Sequence, residues 1–374
     1  MKILHLVKHC DRSHGNAQVA VDLACEQAAS GHKVIFASSG GSLKSLLVKY
    51  DVECAGVDQS GGILNVLQNL TRFIRLVFKV KPDVIHAHMM SSAIFGFVAS
   101  KLTGIPLVTT VHNSFDKHSV IMRLGKTVVA VSEAERDALI ARGFRPHKVV
   151  AVLNGPNGAP REVWGAAYEG AFQTPSITMV CGLHPRKGVQ NVLEAFKQVH
   201  STFPEWHLNI IGSGAHREEL EAQAVVGAVH FLGPVDCPKP LLEKSEVFIS
   251  ASYAEPCGLS ITEARDAGCA IIGTRVGGTP ELLEHGNVGI LVEPGDIKAL
   301  AFAITALLSD PVDRERWRAK ARSGAQYFNI HRLAVDYECI YKAAGAYRGK
   351  LPWRQRSAKQ TPVSSDWRQP RNDC

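Results

Sequence analysis

In AEPCGLSITEA, residues 254–264, two carboxylates stand eight residues apart, Glu255 and Glu263. Were the whole stretch one helix, the second would lie about 80° around the axis from the first, and the two would not share a face. The flanks give a better parse: EVFISA reads as a short buried strand, and LSITEARDAG as a helix stopped by Gly268. Glu255 then falls in the strand-to-helix turn and Glu263 about one turn inside the helix. Both point toward the space over the strand's carboxyl end, where open α/β sheets bind ligands.

A second constellation lies in CGLHPRKGVQNVLEAF, which runs strand, turn, helix, with Arg186 and Lys187 at the turn and Gly188 opening the helix. Cations beside a helix N-terminus suit a diphosphate, because the free N–H groups and the helix dipole already favour anions. Taken alone, the stretch reads as a solvated turn with two surface cations. The glutamate pair on a neighbouring strand of the same domain favours the anion site.

Other motifs narrow the chemistry. IIGSGAHREEL places Gly212 and Gly214 between a strand and a helix, but the third position of a dinucleotide fingerprint is Arg217. The first strand-to-helix turn, HCDRSHGNAQ, has only Gly15, and no phosphate-binding G-x-x-x-x-G-K-[ST] or D-x-D pair occurs. His86 and His88 share a strand face, with His112 as a third conceivable metal ligand. No carboxylate partner is apparent for them, so they are read as a polar strand end and no metal is assigned. Thr279 as N-cap and Pro280 at the first helical position account for Glu281 by capping, with a donor-site contact as a secondary option. Cys257 has no histidine nearby in sequence and is read as a filler.

These residues need elements to hold them. The chain of 374 residues suits two domains, and its 45% hydrophobic and 21% charged content is that of a soluble globular protein. No run approaches the ~18 apolar residues that cross a bilayer, and MKILHLV is too short for a signal-peptide core. The expected location is cytoplasmic. Nine scattered cysteines without a C-x-x-C pair read as reduced thiols.

Apolar runs alternate with amphipathic segments: KILHLV, KVIFAS, DVIHAH, PLVTTV, TVVAVS and KVVAVL, then SITMVCG, HLNIIG, VHFLG, VFISA, AIIGT and GILVE. Such alternation predicts parallel sheets covered on both faces. A first doubly wound domain is read over 1–155, a Gly- and Pro-rich linker over 156–174, and a second domain over 175–325. A C-terminal helix over 326–348 crosses back to the first domain. The tail over 349–374 carries six Lys/Arg and two Asp, so +4 of the net charge of +7 lies there, and its composition predicts disorder. The folded part is only mildly basic, which points away from nucleic acid and toward an anionic ligand or surface. In LQNLTRFIRLVFKVKPD, Arg72, Arg75 and Lys79 edge an apolar helix. That edge reads equally as a solvated face or as a patch for an anionic membrane.

The ordered series of motifs resembles the retaining, GT-B-fold glycosyltransferases of family 4. The resemblance runs from MKILHLV through SGHKVIF, PDVIHAH, VTTVHN, VAVSEAERDALIARG, VLNGPN, RKGVQNVLEAF and GSGAHREELE to EPCGLSITEA and VGGTPELLEHGNVGILVEPGD. It implies two Rossmann-like domains facing a cleft, a sugar-nucleotide co-substrate, and no metal or other cofactor. It implies that Glu255 bonds the donor sugar, Glu263 the ribose, and Lys187 the diphosphate, together with amides around Gly258 and Leu259. His112 would line the sugar from across the cleft. Arg186, Gly212 and Gly214 are placed on the donor side, and Gly15 and His88 on the acceptor side. Two departures stand out: Gly182 occupies an arginine position of the phosphate turn, and the first turn keeps only Gly15 of a glycine pair.

The expected activity is transfer of a hexose from a UDP- or GDP-sugar to a glycan or lipid-linked saccharide, in cell-surface polysaccharide or lipopolysaccharide biosynthesis. The enzyme would be peripheral on the inner face of the cell membrane. Two alternatives stay open: a non-hydrolysing sugar-nucleotide epimerase, and a catalytically silent sugar-nucleotide binder, suggested by Gly182.

Overall fold

The computed structural model describes residues 1–164 and 168–346. The tail over 349–374 lies outside them. The first domain contributes strands β1 (Lys2–Leu6), β2 (Lys33–Ser38), β3 (Glu53–Gly56), β4 (Val84–Ala87), β5 (Leu107–Val111), β6 (Thr127–Ala130) and β7 (Val149–Ala151). Between them run helices α1 (Gly15–Ala29), α2 (Lys44–Lys49), α3 (Ile63–Val80), α4 (Met90–Thr103) and α5 (Glu133–Ala141). A short α6 (Pro160–Trp164) follows inside the stretch read as linker.

The second domain supplies β8 (Ser176–Val180), β9 (His207–Ile211), β10 (Val229–Gly233), β11 (Val247–Ser250), β12 (Ala270–Thr274) and β13 (Ile290–Val292). Its helices are α7 (Val189–His200), α8 (Arg217–Glu221), α9 (Lys239–Leu242), α10 (Leu259–Ala267), α11 (Thr279–Leu282), α12 (Ile297–Ser309) and α13 (Pro311–Arg322), and α14 (Ile330–Tyr341) follows.

Each apolar run became a strand because both sheet faces are covered; all five residues of β5, for example, are buried. The orders are β3-β2-β1-β4-β5-β6-β7 and β10-β9-β8-β11-β12-β13. The edge strand β3, ECAG, escapes sequence reading because none of its residues is fully buried, so it carries no apolar run. α14 returns to the first sheet, where Leu333, Tyr337 and Tyr341 join one core with Ile3, Val84 and Val108.

In both sheets the chain reverses direction of winding at the middle: β1 lies between β2 and β4, and β8 between β9 and β11. That is where an open sheet leaves a crevice at its carboxyl ends. Because β11 pairs with β8 in the register Val247↔Ile177, the turns that follow the two strands are neighbours. Among the described residues seven cysteines are free, but Cys339 is disulfide-bonded. The reading of all nine as reduced thiols is corrected there, since sequence spacing reveals only local pairs.

Candidate functional site

The turns after β8 and β11 bring the first two site residues together. In Pro185–Lys187 the chain makes one tight helical turn, then passes through Gly188 at φ 67° into α7. A Cβ on Gly188 would lie 2.0 Å from the Ala251 carbonyl oxygen, so only glycine lets the two turns approach this closely. The Tyr253 amide donates to the Arg186 carbonyl at 2.8 Å, and the Arg186 guanidinium donates to the Ala254 carbonyl at 2.6 Å. So positioned, the Lys187 ammonium pairs with a Glu255 carboxylate oxygen. Ser252 donates to that same oxygen at 3.3 Å. An ammonium has three donors, so Lys187 keeps capacity for an anion while anchored to Glu255.

Directly after Glu255 begins α10, capped by Gly258, whose missing side chain leaves the first-turn amides without a side-chain partner. α1 of the first domain also starts without a side-chain cap. The two helix starts meet where a Cβ on Gly15 would lie 3.5 Å from Leu259. Gly15, Gly258 and Leu259 thus share one place in the cleft, at the starts of two helices whose dipoles favour an anion.

Glu263 sits in the second turn of α10, as its spacing predicts, but not with an open carboxylate. Its Oε1 accepts from Arg161 at 2.7 Å, and Arg161 also donates to Asp22 of α1 at 2.7 Å. All three side chains are buried. Burial raises the Asp22 carboxyl to about 6 despite Arg161 beside it. This triad ties the first domain, α6 and α10 together. Arg161 and Asp22 were missed in the sequence because LNGPNGAPREVWG reads as loop, and because nothing local to Asp22 marks a partner for its carboxylate.

His112 follows β5 and His88 follows β4, so the two side chains reach the same end of the sheet. His112 Nε2 lies 3.2 Å from His88 Nδ1, and His88 Nε2 lies 3.0 Å from His5 Nδ1. His88 is 3% exposed. The acceptor-side assignment is corrected: His88 stands one ring behind His112, not at the cleft surface. The metal-capable cluster is His5, His86 and His88, not the trio that includes His112. Every ring nitrogen in it is engaged, His86 with Tyr341 and Thr110 and His5 with Gln27 as its second partner, and no carboxylate takes part. The missed signal is register, since His5 on β1 pairs directly with His86 on β4.

The remaining residues have structural reasons for their identity. A Cβ on Gly212 would lie 1.9 Å from the Cys181 carbonyl, and one on Gly214 2.2 Å from that of Leu183. Both therefore pack the turn after β9 against the turn after β8. At Gly182, where the resemblance implies arginine, a Cβ would meet the His184 ring at 3.3 Å, so that ring fills the space. Arg186 lies over the Phe115 ring at 4.6 Å, bridging to the first domain. Arg12 and Asp236 pair between the domains as well.

Glu281 is corrected: the residue preceding α11 is Gly278, not Thr279. The Glu281 carboxylate instead accepts from the Glu133 and Ala134 amides, both at 2.8 Å, and so caps α5 of the other domain. Cys257 is buried among apolar side chains, which pushes its thiol up to about 12, so it is not a nucleophile at neutral pH.

Residues 14–157 match the family described as Glycosyltransferase Family 4, and residues 174–310 the family described as Glycosyl transferases group 1. Glycogen synthase of Mycobacterium tuberculosis (strain ATCC 25618 / H37Rv) is 29% identical over 280 residues. That alignment covers 69% of this chain and 66% of the relative, just under two thirds of its length. N-acetyl-alpha-D-glucosaminyl L-malate synthase of Bacillus anthracis is 26% identical over 369 residues, 87% of this chain and 93% of that protein. The crystal structure of Anabaena Alr3699/HepE in complex with UDP shares the fold, with a TM-score of 0.77 at 21% identity, over 92% of this chain and 100% of that one. The chain belongs to glycosyltransferase family 4 and has the GT-B fold.

Proposed function

We propose that this glycosyltransferase moves a hexose, with retention, from a UDP- or GDP-sugar to a glycan or lipid-linked saccharide of cell-surface polysaccharide or lipopolysaccharide biosynthesis. The observation that carries the reading is the Lys187–Glu255 pair set beside the uncapped start of α10. One side of that pair suits a diphosphate and the other a hydroxyl-rich sugar. Support for the donor class comes from the Anabaena protein, solved with UDP, with UDP and glucose, and with UDP-glucose. Support for the pathway comes from a fold neighbour described as a glycosyltransferase involved in lipopolysaccharide biosynthesis, with a TM-score of 0.69 at 16% identity.

In this mechanism the anomeric C–O bond to the diphosphate breaks, the acceptor hydroxyl oxygen bonds the anomeric carbon and gives its proton to the leaving diphosphate, on which charge builds as the bond opens. Lys187 and the amides at Gly258 and Leu259 stabilise that charge without rearranging. Glu255 holds the sugar hydroxyls, which become better donors as the ring turns oxocarbenium-like. Glu263 offers the ribose its second oxygen while Arg161 holds the first. His112 lines the sugar from the first domain. The fixed cation and helix amides take the place of a metal ion, so turnover should persist in excess EDTA, with the anomeric configuration retained in the product by NMR. Loss of turnover on chelation, restored by Mn²⁺ or Mg²⁺, or an inverted product, would overturn this mechanism.

For a lipid-linked acceptor the surface of α3 offers a dock. Arg72, Arg75 and Lys79 are exposed there, alongside Ile63 (80% exposed), Leu64 (77%) and Phe78 (53%). Among the described residues no helix is long and apolar enough to cross a membrane. Sedimentation with anionic vesicles should therefore weaken steeply with salt, at about 1 kcal/mol per contacting cation. Retention that ignores ionic strength, or none at all, would leave α3 a helix with a solvated face.

A further inference from the structure

Three imidazoles run in single file from the cleft into the first domain. His112 Nε2 contacts His88 Nδ1, His88 Nε2 contacts His5 Nδ1, and His5 Nε2 lies 2.8 Å from the Gln27 amide oxygen. Burial keeps all three rings neutral: His5 and His112 are pushed down to about 4, and His88 is held well below the ordinary histidine value. A neutral imidazole has one N–H and one lone pair. Each contact needs one of each, so the three rings must share a single polarity.

The group at the inner end chooses that polarity. An amide oxygen only accepts, so His5 carries its proton on Nε2 and offers Nδ1 to the Nε2–H of His88. His88 in turn offers Nδ1 to the Nε2–H of His112. The file ends at His112 Nδ1, a lone pair with no hydrogen-bond partner among the described residues. At the other end of the amide, the Gln27 NH₂ donates to the Tyr341 hydroxyl of α14 at 3.4 Å, and that hydroxyl bonds His86 Nδ1 at 2.7 Å. Gln27 is 1% exposed, so water does not compete for the amide.

We infer that Gln27 is a positioning residue which, acting through His5 and His88, sets the tautomer of His112 and makes that ring a hydrogen-bond acceptor toward the cleft. The catalytic consequence rests on the proposed placement of His112 beside the donor sugar. A sugar turning oxocarbenium-like makes its hydroxyls better donors. A lone pair facing them therefore gains strength in the transition state, where an N–H would oppose the developing charge.

The test is ¹⁵N NMR of the histidine rings in the wild type, Gln27→Met and His88→Phe, with donor kinetics beside it. In the wild type, His5, His88 and His112 should all be protonated at Nε2. In either variant His112 should become a mixture of tautomers, and kcat should fall about tenfold, the worth of one hydrogen bond, with donor KM little changed. Mixed or opposed tautomers in the wild type overturn the inference, whether or not the variants fold. So does a His112 signature unaltered in Gln27→Met. A changed tautomer with kcat intact supports the relay and instead refutes the placement of His112 beside the sugar.

Discussion

Lys187→Ala should turn over about 10²-fold or more slowly than the wild type, the loss typical of removing one preorganised group from a developing anion. The structure sharpens the reason. Lys187 neutralises Glu255, which is 8% exposed. The alanine variant would therefore lose a cation for the diphosphate and also leave a carboxylate facing it. Glu255→Gln removes that repulsion, so Lys187→Ala with Glu255→Gln should lose less than the two single losses multiplied. Steady-state kinetics of the three variants, with folding checked by melting temperature, decide the matter. An unchanged rate in Lys187→Ala would transfer the phosphate role to Arg186, whose guanidinium lies over Phe115 in the same cleft.

Arg161→Met should be the most destabilising of the site substitutions, because it leaves Asp22 and Glu263 as two buried carboxylates without their shared cation. Breaking a buried pair from one side costs about 3–5 kcal/mol. For domains of this size that is a fall in Tm of about 10 °C. Asp22→Asn in the same chain should recover part of the loss, since one uncompensated charge is then gone. A second effect separates the triad from mere stability: Glu263 loses the partner that orients it, so donor KM should rise in Arg161→Met while kcat changes less. Glu263→Gln should show the same KM-dominated pattern, whereas Glu255→Gln should lower kcat as well. A melting temperature within about 2 °C of the wild type would show that the triad does not hold the two domains together.

The parts of this site legible in the sequence are those fixed by local chemistry. The turn at Glu255, the helix stop at Gly268 and the cation turn before Gly188 follow from periodicity, glycine placement and charge over a dozen residues. What stayed hidden depends on elements far apart in the chain meeting. Arg161 joins Asp22 and Glu263, 139 and 102 residues away, and nothing local to PREVW marks it as more than a linker cation. Glu281 looked like an acidic first-turn residue of its own helix, behind Thr279 as cap, but it caps a helix of the other domain, because a carboxylate that suits one N-terminus suits any nearby. His88 was legible as a polar strand end but not as second in a file, since that required the register that sets His5 beside His86.

The central claim is that a sugar nucleotide binds between Lys187, Glu255 and the start of α10. Thermal shift of the wild type and Lys187→Ala against UDP-, GDP- and ADP-sugars, without added metal, tests it most directly. One nucleotide-sugar class should stabilise the wild type, by about 2.7 kcal/mol at one hundred times its Kd. The same ligand at the same concentration should stabilise Lys187→Ala far less. Equal stabilisation of both proteins, or none of the wild type by any of the three classes, would contradict it.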